Sequence, residues 1–164
     1  MILLLAVVLT AAWVSLLVAA PMLPGWAGAI VYGVGSLICH QIPERSFYLS
    51  GFQLPVCARC LGIYGGAAAG AAFVWIRLRS GENLFPTAAA TRRWLAVVAA
   101  APTLVTVALE AAGVWYPSNV ARALAGLALG GILAFVVVSA LATLHYGECV
   151  PPRPTAPKPP QRSI

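Results

Sequence analysis

The sequence contains no aspartate, and its acidic side chains number four: Glu44, Glu82, Glu110 and Glu148. Charged residues of both signs make up 9% of the chain, against 61% hydrophobic residues. Soluble domains carry roughly 25% charged residues, so this chain cannot cover itself with a polar surface. A water-soluble globule is excluded, and the mean hydropathy of +0.90 points to an integral membrane protein set in a lipid bilayer. Lysine and arginine are absent before Arg45. A secretory leader has a basic start and a small-residue cleavage site. The best cut here, after Ala20, would leave Pro21 first, so residues 2–23 read as a retained transmembrane helix. No internal repeat is evident. The net charge of +6 does not imply nucleic acid, because the basic residues sit in loops and a tail beside apolar spans, where membrane orientation accounts for them.

The apolar runs and their breaks predict an all-α integral membrane protein of about five transmembrane helices. One transmembrane domain covers residues 1–149, with helices over about 2–23, 26–39, 57–77, 93–112 and 119–145. Pro21, Pro24 and Gly25 end the first helix. The second apolar run has only 13 residues, 26–38, short of the ~20 needed to cross. It is expected to borrow neighbours or to tilt. Pro102 interrupts the fourth span, and Ser118 is placed to cap the fifth. Residues 150–164 hold six prolines with Arg153, Lys158 and Arg162, and are expected to form a disordered basic tail. Gly62, Gly66 and Gly70 recur every four residues. So do Arg122, Gly126 and Gly130. Such faces admit a neighbouring backbone, in this chain or in a homo-oligomer.

Arg77, Arg79, Arg92 and Arg93 mark the loop between helices 3 and 4 as cytoplasmic by the positive-inside rule. With five crossings the amino terminus lies outside the cell membrane and the carboxyl terminus in the cytoplasm. Residues 39–56 and 113–118 then face outward, while Cys149 and His145 lie apart on the cytoplasmic side.

The polar island at 39–60 holds three of the four cysteines. Cys57-Ala-Arg-Cys60 opens a helix, where free N–H groups and the helix dipole favour a thiolate, and Arg59 adds positive charge. Cys57, Cys60 and Tyr64 share a helix face. Cys39, His40, Cys57 and Cys60 form a Cys3His set of the kind zinc or another transition metal takes. Cys39 and His40 are adjacent, which strains their use on one ion. Haem is not implied, because Leu61 rather than histidine follows Cys60. Three thiols also suit an exchange relay, with Cys57 as nucleophile and Cys60 as resolving thiol, or a disulfide with a spare thiol. Glu110 and Arg122 flank a six-residue turn joining antiparallel helices, so an ion pair between them is geometrically easy. Buried ionisable groups in a membrane have a partner or a role. Cys57, Cys60 and Glu110 are therefore the catalytic candidates.

The stretch CHQIPERSF at 39–47, PVCARCLGIYGG at 55–66, and Ser118, Asn119 and Arg122 in an S-N-x-x-R pattern resemble a family of small prokaryotic polytopic membrane proteins, domain-of-unknown-function family 2085. That pattern has Asp-Gly in the helix before S-N-x-x-R, where this chain has Glu110 and, further on, Gly113. The resemblance brings no activity with it. It implies one site built from Cys39, His40, Cys57, Arg59, Cys60, Tyr64, Asn119 and Arg122. Glu44, Arg45 and Ser46 join this pocket from the motif loop. The sequence thus predicts a transition-metal site at the outer membrane face. The alternatives are a membrane thiol–disulfide oxidoreductase, and a transporter or structural assembly partner.

Overall fold

A computed structural model describes residues 2–81 and 89–146. The expected tail at 150–164 and Cys149 lie outside the described residues. The chain is mostly helical: α1 Ile2–Ala19, α2 Gly25–Ile38, α3 Ala58–Arg79, α4 Ala89–Ala111 and α5 Asn119–Tyr146. Between α2 and α3 runs a hairpin of β1 Ser46–Leu49 and β2 Phe52–Cys57. Single 3-10 turns occupy Ala20–Met22 and Pro43–Arg45. Among the described residues, four helical segments are long and apolar enough to cross a membrane: Leu3–Met22, Ala58–Arg79, Arg93–Ala111 and Asn119–Val138. Large apolar side chains such as Leu9, Val98, Leu104, Leu124 and Val137 stand exposed along them, as lipid-facing residues do.

The bundle is tightest between α3 and α5, and glycine is the reason. A Cβ on Gly62 would lie 2.0 Å from the Ala123 carbonyl oxygen, and one on Gly130 would lie 1.9 Å from that of Ile63. Gly66, Gly70 and Gly126 are filled in the same way by Leu127, Gly131 and Arg59 backbone. The glycine faces expected to admit a neighbouring backbone thus meet one within the chain. α4 joins α5 through a hydrogen bond from the buried Thr103 hydroxyl to the Ala125 carbonyl, 2.8 Å.

α1 runs antiparallel to α3. Leu3 and Val7, near its start, pack with Val74 and Leu78 of α3 and with Phe135 and Val138 of α5. Trp13, Leu17 and Ala20, near its end, pack with Cys39, Val56, Cys60 and Tyr64. α2 does not return across this distance. Its 14 residues reach about 21 Å at 1.5 Å per residue, short of the ~30 Å hydrocarbon core. Its packing is against the hairpin and the Ala20–Met22 turn. The expectation of chain ends at opposite faces rested on α2 as a fifth crossing. In the packing, the start of α1, the end of α3 and the far part of α5 share one bundle end.

The hairpin was expected as an irregular loop. Ser50 and Gly51 both have positive φ, 52° and 83°, which is the two-residue turn whose twist matches paired strands. Leu49 pairs with Phe52, Tyr48 with Gln53, and Ser46 with Cys57. The register slips between Tyr48 and Ser46, opposite the β2 stretch that holds Pro55, a residue with no N–H to give. Polar groups bind the hairpin to α2. The Gln41 amide donates to the Tyr32 and Pro55 carbonyls, 2.8 Å each. The Tyr32 hydroxyl donates to the Gln53 carbonyl, and the Gln53 amide to the Gln41 carbonyl, 2.6 Å.

Candidate functional site: a thiol trio beside an arginine cluster

Three local structures deliver the three thiols. Cys39 is the buried residue where α2 ends, in extended backbone. Cys57 closes β2 and caps the start of α3. Cys60 lies in the first turn of α3. All three are free thiols, and their sulfurs lie within 4.8 Å of one another. The Cys57 amide donates to the Cys39 sulfur at 3.2 Å. The Cys57 thiol is pushed down to about 5, first by the hydrogen bond from the Cys60 thiol, then by the Cys60 N–H, the Cys39 thiol and the Arg59 N–H, against the opposing effect of burial. The neighbouring donors thus favour the thiolate form at Cys57.

The donor set suits a thiophilic ion. Zinc–sulfur bonds of about 2.3 Å in a tetrahedron put sulfurs roughly 3.8 Å apart, so small side-chain adjustments would close the trio on a metal. His40 stands outside this group. It is exposed, and it follows Cys39 in extended backbone, where successive side chains point to opposite sides. Of the expected Cys3His set, the three thiols gather, and His40 lines the same cavity without joining them.

Next to the thiols, Glu110 gathers three guanidinium groups. Its Oε1 accepts from Arg122 Nη2 at 2.7 Å and pairs with Arg45 Nε at 3.0 Å, and its Oε2 accepts from Arg59 Nη2 at 3.3 Å. Glu110 and Arg122 are buried, at 8% and 5% exposure. Arg59 also reaches the Thr106 hydroxyl at 3.5 Å. Asn119 accepts from Arg122 Nη1 at 2.9 Å and donates to the Ser46 carbonyl at 2.9 Å, so it ties α5 to the hairpin. Ser118 caps α5, its hydroxyl accepting from the Ala121 amide at 3.2 Å.

A cavity of about 390 Å³ joins the two clusters, lined by Cys39, Cys57, Cys60, Arg45, Arg59, Arg122 and the segment Ile38–Ile42. A neighbouring cavity of about 600 Å³ shares Arg45 and Arg122 and is lined further by Glu44, Tyr116 and Asn119. Ser46 is buried in hydrogen bonds with the Ile42 carbonyl and the Gln53 amide, not in either cavity. Tyr64 packs on the thiol side of the bundle, edge-on to Trp13 at 6.2 Å. It lines a separate small cavity with Leu9, Thr10 and Ala67. Sequence reasoning gave no role to Gln41, Gln53, Thr103 or Thr106. Two signals were present: glutamine inside the cysteine motif, and threonines one and two turns before Glu110 in an apolar helix.

A family model described as "predicted membrane protein (DUF2085)" matches residues 39–136. An uncharacterized protein of Methanocaldococcus jannaschii is 30% identical over 116 residues, 71% of each chain. An uncharacterized protein of Methanothermobacter thermautotrophicus is 60% identical over 30 residues, 18% of this chain and 27% of that one. No solved structure matches. The chain belongs to this family of predicted membrane proteins.

Proposed function

We propose that this DUF2085 membrane protein holds a thiophilic transition-metal ion, zinc foremost, on Cys39, Cys57 and Cys60 at the outer face of the cell membrane. The observation that carries the reading is the approach of three free thiols to within 4.8 Å, and the lowered pKa of Cys57 is in keeping with it. Three protein ligands leave a fourth position open, and a metal so held supplies Lewis acidity there. His40 sits beside the ligands rather than on the ion. The test is metal content of the detergent-purified protein with thiol counting before and after chelation. One zinc per chain and three thiols that become reactive on chelation are expected. Metal-free protein with a Cys57–Cys60 disulfide would overturn the reading.

That second outcome is the signature of thiol–disulfide exchange, which the lowered pKa of Cys57 and the helix-start CxxC also favour. The Cys57 thiolate would attack a partner disulfide and release one partner thiolate. Cys60 would then displace the second, leaving Cys57–Cys60 oxidised and the partner reduced.

The orientation follows from charge. Arg77, Arg79 and Arg93 sit at the bundle end away from the thiols, which the positive-inside rule assigns to the cytoplasm. With four crossings the start of α1 lies there too. The exposed face of α2, with Trp26, Ile30, Val34 and Leu37, then lies along the outer membrane surface as an interfacial helix. With a cysteine-free background in intact cells, an impermeant thiol reagent should label Ser50→Cys and spare Ser80→Cys and Leu3→Cys. Labelling of Leu3→Cys together with Ser50→Cys would restore the fifth crossing.

A further inference from the structure

The cavity has a second wall that the thiols do not explain. Arg45, Arg59 and Arg122 line it, and among the described residues Glu110 is the acid that pairs with them. One carboxylate against three guanidinium groups leaves two positive charges in excess. The Arg122 side chain is only 7% exposed and that of Arg59 only 17%. The Nε atoms of both are buried without a hydrogen-bond partner. A buried N–H with no acceptor is costly, and an uncompensated buried cation more so. Ionisable groups kept at this depth mark a partner or a ligand.

The geometry points to a binding site for an anion of the phosphate class, either a free phosphate ester or the headgroup of an anionic lipid, with Arg59 and Arg122 holding it and Arg45, the most exposed of the three, at its entrance. A planar carboxylate is already in place as Glu110, and its two oxygens leave guanidinium N–H groups unserved. A tetrahedral oxyanion offers acceptors in several directions and suits guanidinium forks. The cavity is larger than a bare oxyanion, which leaves room for an esterified group. The first turns of α3 and α5 carry Arg59 and Arg122, so two helix starts bring their positive ends to the same place.

This site requires no metal, so it stands or falls separately from the reading above. Detergent-purified protein is titrated with inorganic phosphate by calorimetry. The protein in phosphatidylcholine nanodiscs doped with phosphatidic acid is then examined by native mass spectrometry. Saturable phosphate binding is expected, weakened roughly tenfold to a hundredfold by Arg59→Gln and less by Arg45→Gln, and unchanged by chelation. Arg45 is half-exposed, so Arg45→Gln keeps a folded comparison even if the buried variants fail. Retention of phosphatidic acid that phosphate displaces identifies a lipid headgroup as the source. Phosphate binding without lipid retention identifies a soluble ester. Either result supports the site. No saturable binding of either probe, binding indifferent to both arginine variants, or binding lost on chelation would overturn it, the last by placing the anion on the metal instead.

Discussion

Glu110→Gln tests the centre of the site with almost no change in shape. The amide occupies the volume of the carboxylate, so no cavity cost enters, and the effect is that of charge and hydrogen bonding. Glu110 is 5% exposed at its side chain and accepts from three guanidinium groups. Removing one member of a buried ion pair costs about 3–5 kcal/mol, because the other is left as an uncompensated buried charge. Arg122 at 7% and Arg59 at 17% exposure fall under that rule. Arg45, at 39%, is largely screened by solvent and adds little. The glutamine NH2 also turns a donor toward donors. A loss of about 3–5 kcal/mol lowers the unfolding midpoint by roughly 6–20 °C in a chain of this size. Thermal unfolding in dodecyl maltoside, followed by far-UV circular dichroism, reads it, with Glu44→Gln on an exposed residue as the control. The same substitution raises the positive excess in the cavity, so millimolar phosphate should recover part of the lost midpoint in Glu110→Gln and do less for the parent. A Glu110→Gln midpoint indistinguishable from that of Glu44→Gln would refute the claim that Glu110 neutralises the cluster.

Three other outcomes follow from the packing and the thiols. Gly130→Ala places a methyl where the Ile63 carbonyl oxygen is 1.9 Å away, and should cost about 1–3 kcal/mol or more by overpacking. Gly65→Ala has open space and should be neutral or stabilising by up to about 1 kcal/mol, so equal responses in the melting assay would sink the close-approach account of α3 and α5. In chelated protein, alkylation of Cys57 by iodoacetamide should titrate with a midpoint of about 5, because a lowered value keeps the thiolate above that pH and protonates it below. Cys60→Ala, which removes the largest cause, should move that midpoint upward, and an unmoved midpoint would assign the shift elsewhere. Asn119→Ala removes the bond to the Ser46 carbonyl. Amide exchange should quicken over the hairpin at 46–57 while α3 keeps its protection, and uniform quickening would mean that Asn119 holds the bundle rather than the hairpin.

The Glu110–Arg122 pair was legible because a six-residue turn forces its two helices to be antiparallel neighbours. The convergence of Arg45 and Arg59 on the same carboxylate was not. It depends on the Pro43–Arg45 turn ahead of the hairpin bringing Arg45 back over the bundle and on the close approach of α3 to α5, neither of which local spacing reveals. The trio of thiols was read correctly as a group, but the adjacent His40 was counted with it. Only the extended backbone at Cys39 separates the two side chains. The hairpin was read only as a loop at 39–56, where Pro43 and Pro55 resist helix. The Ser50-Gly51 step between aromatic and aliphatic residues was the signal for it. The short run at 26–38 read as a crossing on its apolar content, which does not show what the helix packs against. Its exposed residues, Trp26, Ile30, Val34 and Leu37, fall at helical spacing, but that pattern acquires meaning only once the other face is seen packed on the hairpin.

The glycine spacing has the longest reach of any feature in the chain. It was read as a surface for a neighbouring backbone, and the neighbour is α5. Because Gly126 lies against the Arg59 carbonyl and Gly62 against that of Ala123, the opening turns of α3 are pressed onto those of α5. That contact puts Arg59 and Arg122 within reach of one carboxylate. Successive residues on a helix are 100° apart, so the turn that aims Arg59 at Glu110 presents Cys60 on an adjoining face, toward Cys39 and Cys57. Thiols and guanidinium groups are thus fixed to each other through one backbone contact. A side chain added at Gly126 or Gly130 would disturb both clusters together, whereas a change in the hairpin can displace Arg45 and leave Arg59, Arg122 and Cys60 in register.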